Sequence, residues 1–154
     1  MITPKLKGYA GLVVYADDFV ATFQYKSDAE WFYEHLKHRM GHFGLSLEEE
    51  KSRLIEFGRY AKERCRKAGT KPGTFTFLGF THYCSKSRNG RFRVKRKTSK
   101  KKFAKKCREV NLLLVKMRTC RLKEIIAKLN QILTGYYHYY GITDNTESIT
   151  AFRY

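Results

Sequence analysis

The fold of this chain is decided by residues 12–20, which read LVVYADDFV. Four apolar residues, three of them typical of strands, lead into two adjacent carboxylates, and apolar residues then resume at once. A short apolar run alone cannot be distinguished from a buried helix segment, but the β-branched and aromatic residues favour strands. The stretch therefore predicts two buried strands joined by a tight turn, with Asp17 and Asp18 at the turn.

These two acidic residues suggest a metal site. Carboxylates at the tip of a strand are hard oxygen ligands for Mg²⁺, which keeps some of its waters and also takes substrate phosphates. Two such ions about 3.5–4 Å apart can hold the attacking and leaving oxygens of a phosphoryl transfer. Because Ala16 is small, a substrate could approach the backbone beside the acids. A solvated Asp-Asp turn is the alternative, since aspartate is common in turns.

The charge of the chain points to a polyanionic partner. Its 154 residues carry 32 Lys and Arg against 14 Asp and Glu, a formal net charge of +18. Of these cations, 18 lie between residues 86 and 128, a block whose acids are Glu109 and Glu124. An acidic membrane surface could attract this block, but the block mixes hairpin and helix patterns instead of forming one interfacial helix. We therefore expect a nucleic-acid partner.

Cysteine usage and hydropathy favour a reducing, cytoplasmic compartment without a membrane partner. The four cysteines lack metal-ligand spacing, and Cys107 falls on an apolar helical face, so reduced thiols are expected. We see no secretory signal at the start of the sequence and no apolar run of membrane-spanning length.

The first two thirds of the chain mix strand and helix patterns. Residues 27–40 predict a helix that begins with a Ser27–Glu30 capping box, and residues 45–57 predict a strand region. Residues 59–73 predict a loop with one helical turn. Residues 74–97 predict a hairpin that turns at Asn89-Gly90 and places its basic side chains on one face.

Helices dominate the remainder. Residues 99–118 predict a long helix with a basic first half, and residues 121–133 predict a second helix that stops at Gly135. The aromatic residues between 136 and 140 could stack on bases or pack against the two helices, and a further helix is expected from Thr146. The fold class that follows is α+β.

Four segments together resemble group II intron reverse transcriptase/maturases. The turn YADD at residues 15–18 is similar to their catalytic turn. It is followed in the same order by GLSL at residues 44–47 with Glu50-Lys51-Ser52, by FLGF at residues 77–80, and by NQILTGYYHYY at residues 130–140. The similarity covers the second half of such an enzyme. It implies a partial polymerase palm at residues 1–97, with a packed helix and a β-hairpin, and a helical thumb or maturase region at residues 98–154.

The resemblance also implies roles for individual residues. Asp17 and Asp18 would be catalytic and hold Mg²⁺, and the nucleotide would lie near Tyr15, Ala16 and Lys51. Lys51 could instead pair with Glu48 or Glu49. The primer end would be held by Phe77, Leu78, Gly79 and Phe80, and this segment could at the same time be a core strand with a bulge at the glycine. The partners would be template or intron RNA, a DNA primer and deoxynucleoside triphosphates. RNA would contact the basic hairpin and thumb through Arg91, Arg93, Lys95, Lys97, Lys101, Lys102 and Lys105.

The number of carboxylates limits this reading. The resembled enzymes take a further catalytic aspartate from an earlier strand, and neither Asp28 nor Asp144 follows a strand pattern that would aim it at the turn. We therefore expect that the chain alone does not polymerise and that a separate polypeptide supplies the N-terminal palm and fingers. A non-catalytic, maturase-like RNA-binding remnant is the alternative. A basic structural protein would explain the charge but not the acidic turn.

Overall fold

The computed structural model describes residues 6–48 and 52–153, which form two compact units, Met1–Glu56 and Phe57–Tyr154. The described residues contain two antiparallel sheets and five helices, so the predicted α+β class is confirmed. The three-stranded sheet and the last three helices fall within one unit. The palm and thumb division at residues 97 and 98 stays a prediction.

The first unit is built on a hairpin of β1 (Ala10–Tyr15) and β2 (Asp18–Phe23). Their register runs from Ala10 opposite Phe23 to Tyr15 opposite Asp18, which leaves a two-residue turn and confirms the predicted strands. The predicted burial of these strands is wrong, since residues 12 to 14 are each about 60% exposed. The reason is that the hairpin is a two-stranded sheet with no further strand beside it in the described residues.

A helix, α1 (Lys26–His42), packs against the end of β2, where the ring centroids of Phe23 and Phe32 lie 5.1 Å apart. The predicted capping box is wrong, because the helix begins one residue earlier and its N-cap residue makes no side-chain cap hydrogen bond. The helix ends in a left-handed glycine, Gly44, with the amide of Leu45 donating to the carbonyl of Met40 over 3.0 Å. These bonds satisfy carbonyls of the last turn, as in a Schellman motif.

The predicted strand at residues 45–57 is not present in its described parts, residues 45–48 and 52–57. Leu45 and Leu54 are 55% and 53% exposed, and no neighbouring strand in the described residues offers hydrogen bonds to this segment. An apolar pattern without a partner strand does not form a sheet.

The second unit begins with a short helix, α2 (Ala61–Lys67), which confirms the predicted helical turn and buries Ala61 and Cys65. A three-stranded antiparallel sheet follows, in the order β3 (Phe75–Phe77), β4 (Phe80–Lys86) and β5 (Phe92–Thr98). All four cysteines of the chain are free.

The turn between β4 and β5 differs from its prediction. The predicted Asn89-Gly90 turn is typical of type I′, in which both residues have positive φ, but only Gly90 does. The amide of Gly90 donates to the carbonyl of Ser87 over 3.1 Å, so residues 87–90 form a turn that ends at the left-handed Gly90. That arrangement needs positive φ only at glycine and spares Asn89 the strain.

Three helices complete the second unit, α3 (Lys100–Lys116), α4 (Leu122–Tyr140) and α5 (Thr146–Arg153). The predicted stop of the second of these at Gly135 is wrong, because α4 continues to Tyr140. Tyr136 is only 4% exposed and stacks on Phe152 at 3.9 Å, so packing offsets the roughly 1 kcal/mol cost of a mid-helix glycine. Leu122, the first residue of α4, is 70% exposed.

Candidate nucleic-acid interface

The acidic turn lies at the exposed tip of the β1–β2 hairpin. Ala16 has φ +53°, a left-handed conformation that costs a non-glycine residue about 1–2 kcal/mol. Asp17 and Asp18 are exposed, and no ion pair or hydrogen bond of their carboxylates is found within the described residues. In a chain of net charge +18, two unpaired carboxylates side by side leave a local site that can receive a cation.

These two carboxylates fit part of a magnesium site. Mg²⁺ in phosphoryl-transfer sites is commonly held by one or two carboxylates together with waters and substrate phosphates, and the turn offers that donor set. Over the described ranges, no group of three or more His, Cys, Asp or Glu residues comes together. Asp28 is buried and accepts hydrogen bonds from the backbone amides of Lys7 and Gly8 at 3.0 and 3.1 Å, so it serves the packing of the first unit.

The residues predicted to contact a nucleotide are only partly brought together. Tyr15 and Ala16 directly precede the two acids, and Tyr15 is 62% exposed. Lys51 lies outside the described residues.

The segment predicted to hold the primer, Phe77 to Phe80, forms the tight turn between β3 and β4. Leu78 and Gly79 have φ +50° and +79°, the pattern of a type I′ turn, so the prediction of a strand with a bulge is wrong. A Cβ on Gly79 would lie 2.9 Å from the hydroxyl of Tyr140. The group that approaches this glycine closely in the structure is therefore a tyrosine of α4.

Two tyrosines of α4 hold this turn. The hydroxyl of Tyr139 donates to the carbonyl of Leu78 over 2.8 Å, and the ring of Phe80 lies 5.7 and 5.2 Å from those of Tyr139 and Tyr140. Burial raises the pKa of the Tyr140 phenol, and the neighbouring Tyr139 and Tyr136 phenols raise it further. The phenol therefore stays protonated. These aromatic residues pack against the turn and not only against the preceding helices.

The seven residues predicted to contact RNA have different surroundings. Side chains alternate along β5, so Arg93, Lys95 and Lys97 share one face, as predicted. Arg93 is committed to Asp144, with which it forms a 3.1 Å ion pair. Lys105 approaches Glu109 within 4.0 Å. Lys97 and Lys101 line a common groove, whereas Arg91 and Lys102 are exposed and do not line it.

Sequence reasoning missed the buried Asn145, which is 1% exposed. Its carbonyl oxygen accepts from the Thr98 amide at 2.7 Å, and its amide nitrogen donates to the Thr98 hydroxyl and the Tyr140 carbonyl, both at 2.8 Å. The sequence does place an asparagine just before α5, a typical N-cap position. No local pattern shows that its side chain bonds 47 residues away instead of to its own helix.

Comparison with known protein families finds a similarity in the last third of the chain. Residues 100–153, which comprise α3, α4 and α5, match the family model of the group II intron, maturase-specific domain. The resemblance inferred from the sequence is thereby confirmed for a maturase-related segment, while the reverse transcriptase features before residue 100 stay predictions. A search of curated proteins finds no match. No described helix combines the length and apolarity needed to cross a membrane.

Proposed function

We propose that this chain is an RNA-binding segment of a group II intron-type reverse transcriptase/maturase. The single observation that carries the proposal is the match of residues 100–153 to the maturase-specific domain. The charge supports it, because five lysines crowd the first seven residues of α3, whose first turn holds no acidic residue. A phosphate backbone would offset this repulsion, and intron or template RNA supplies one.

The RNA-binding part is tested by titrating the full chain with a structured RNA at several salt concentrations. We expect the logarithm of the binding constant to fall linearly with the logarithm of the salt concentration, because each phosphate contact releases counterions. An affinity that does not change with salt would contradict the proposal.

The acidic turn would contribute half of a polymerase active site. Asp17 and Asp18 would hold Mg²⁺, which supplies charge stabilisation at a transferring phosphate. Tyr15 and Ala16 would contact a deoxynucleoside triphosphate, with Lys51 as a further candidate, and the turn from Phe77 to Phe80 would seat a DNA primer.

A separate polypeptide would complete the palm and supply the fingers. The amide of Gln24 donates to the carbonyl of Tyr9, so these two residues form a hydrogen-bonded pair. Hydrogen-bonded and non-hydrogen-bonded pairs alternate along an antiparallel ladder. The backbone N–H and C=O groups of Ala10, Leu12 and Val14 therefore point away from β2. An exposed, apolar strand edge of this kind is a template for another strand.

Primer extension tests this catalytic reading. The purified chain with Mg²⁺, an RNA template and a DNA primer should give no product, since the described residues offer no third carboxylate at the turn. Addition of a polypeptide that carries the missing palm strands and fingers should restore synthesis, and Asp17→Asn should abolish the restored activity. Extension by the chain alone would refute the predicted need for a partner.

A non-catalytic maturase-like remnant is the second candidate, and the lack of a third described carboxylate at the turn favours it. In that case Asp17→Ala should leave both RNA affinity and any assistance to intron folding unchanged, and no added polypeptide should restore polymerisation. A loss of RNA affinity in Mg²⁺ but not in its absence would favour the catalytic reading.

A further inference from the structure

A groove of about 510 Å³ lies on one face of the β3–β5 sheet beside the start of α3. Strand pairing places Thr76 opposite Thr81, and Thr81 opposite Lys97. These three side chains therefore form a row across the sheet, on the same face and at the spacing of neighbouring strands. Ser99, Lys100 and Lys101 close the groove at the start of the helix.

The lining of this groove is rich in hydrogen-bond donors. Each lysine ammonium has three donors and no acceptor, and each hydroxyl can turn its proton toward an acceptor. The hydroxyl oxygens of Thr76 and Thr81 lie 3.4 Å apart, and none of the described lining residues is acidic. Such a set fits an anion with several acceptor oxygens.

Tyr83 adds a further donor to the groove. Its ring lies 5.3 Å from the Lys97 ammonium. Burial raises the pKa of the Tyr83 phenol, and the charges of Asp144 and Glu147 raise it further, so the phenol stays protonated and can donate.

Ser99 contributes a further hydroxyl to this lining. It is the N-cap residue of α3 and is only 6% exposed, yet it makes no side-chain cap hydrogen bond. Across the described ranges, its hydroxyl has no hydrogen-bond partner. A serine at this position normally accepts from an amide of the first helical turn, and the Ser99 hydroxyl is not committed in that way. An anion in the groove would give the hydroxyl an acceptor.

We propose that this groove binds a phosphate of the RNA backbone, with the Thr76, Thr81 and Ser99 hydroxyls and the Lys97, Lys100 and Lys101 ammonium groups as donors. The inference rests on the proposed RNA-binding function and adds to it the position at which the backbone is held. It separates these residues from the other basic residues of α3, which contribute only to the general field.

The first test removes hydroxyls without changing charge. Replacing both partners of the Thr76–Thr81 contact, as T76V/T81V, keeps the side-chain shape and leaves neither hydroxyl unpaired. Binding of a structured RNA by the full chain should weaken about tenfold with an unchanged salt slope. An affinity equal to that of the unaltered chain would overturn the assignment.

The second test uses exposed residues, so it does not depend on how the sheet tolerates valine. K100Q/K101Q removes two of the three ammonium groups at this phosphate and should reduce the salt slope on a single-stranded RNA probe by up to about 0.7, the value per phosphate contact. The matched control K123Q/K128Q removes the same charge from α4 and should change the slope less. Equal slopes for both variants would overturn the groove assignment while leaving the proposed RNA binding intact.

A third experiment separates this inference from the proposed function and identifies the source of the phosphate. Inorganic phosphate is titrated at constant ionic strength while the amide NMR signals of Thr81, Ser99 and Lys100 are followed. If the chain does not bind RNA, saturable shifts at these amides would identify a site for free phosphate and overturn the backbone assignment. If it does bind RNA, the RNA should saturate the same signals at far lower concentration than phosphate. Shifts by neither probe would overturn the proposal.

Discussion

Replacement of Asn145 by alanine should strongly destabilise the second unit. The side chain is 1% exposed and its three hydrogen bonds join the end of β5 to the end of α4. Alanine leaves the Thr98 amide, in a residue that is 4% exposed, without its acceptor, at a cost of about 1–3 kcal/mol. The unpaired Tyr140 carbonyl and the small cavity each add about 1 kcal/mol. We expect a total loss of about 4 kcal/mol.

This loss is large enough for simple measurement. For a unit of about 100 residues, each kcal/mol lowers the melting temperature by about 4–8 °C, so circular dichroism should show a decrease of at least about 15 °C. Asn145→Asp keeps the volume but places an acceptor oxygen against the Tyr140 carbonyl, and it should also destabilise. The exposed Asn130→Ala on α4 is the matched control and should change the stability by less than about 0.5 kcal/mol. An N145A midpoint within 4 °C of the unaltered chain would refute this reasoning.

Three further predictions concern turns and titration. Ala16→Gly should stabilise the β1–β2 hairpin by up to about 1 kcal/mol, because glycine accepts the φ of +53° without strain. Slower amide hydrogen exchange in the hairpin would show this stabilisation, and faster exchange would contradict it. Tyr139→Phe should cost about 0.5–1.5 kcal/mol in urea unfolding through loss of the bond to the Leu78 carbonyl, and no change would mean that water replaces the phenol. Burial lowers the pKa of His82, with Arg96 adding to this and a backbone interaction at Phe80 opposing it. Below pH 6.5 the unfolded state binds more protons at this residue, so the free energy of unfolding should fall as the pH decreases toward the folded-state pKa. The variant His82→Gln should reduce this pH dependence. Urea unfolding midpoints measured from pH 8 to pH 5.5 would show the difference.

Local sequence patterns predicted most of the elements. The β-branched run before Tyr15 and the paired acids gave the correct hairpin and turn, and the basic alternation along β5 gave the correct face. Both patterns depend on neighbouring residues, which a sequence displays directly. The YADD, FLGF and GYYHYY motifs led to the maturase family that the match at residues 100–153 supports.

The errors arose where distant contacts decided the outcome. Gly135 is a reasonable helix stop from propensity alone, but Tyr136 and its aromatic neighbours find packing partners that extend α4. Leu12 to Val14 have the composition of buried strands, yet burial requires a covering surface that no strand pattern can supply. Ser99 and Asn145 are both in ordinary capping positions, and only the fold shows that neither side chain bonds to the start of its own helix.

The contacts of the second unit also bear on which residues act together. The family match begins at residue 100, but residues within it are bonded to residues outside it. Asn145 holds Thr98, Tyr139 holds the carbonyl of Leu78, and Tyr140 covers Gly79. Leu78 has φ +50°, which a bulky residue adopts only when its surroundings enforce it. The Tyr139 and Tyr140 pair of α4 therefore fixes the β3–β4 turn, and a shift of α4 would change the position of any ligand bound at this turn.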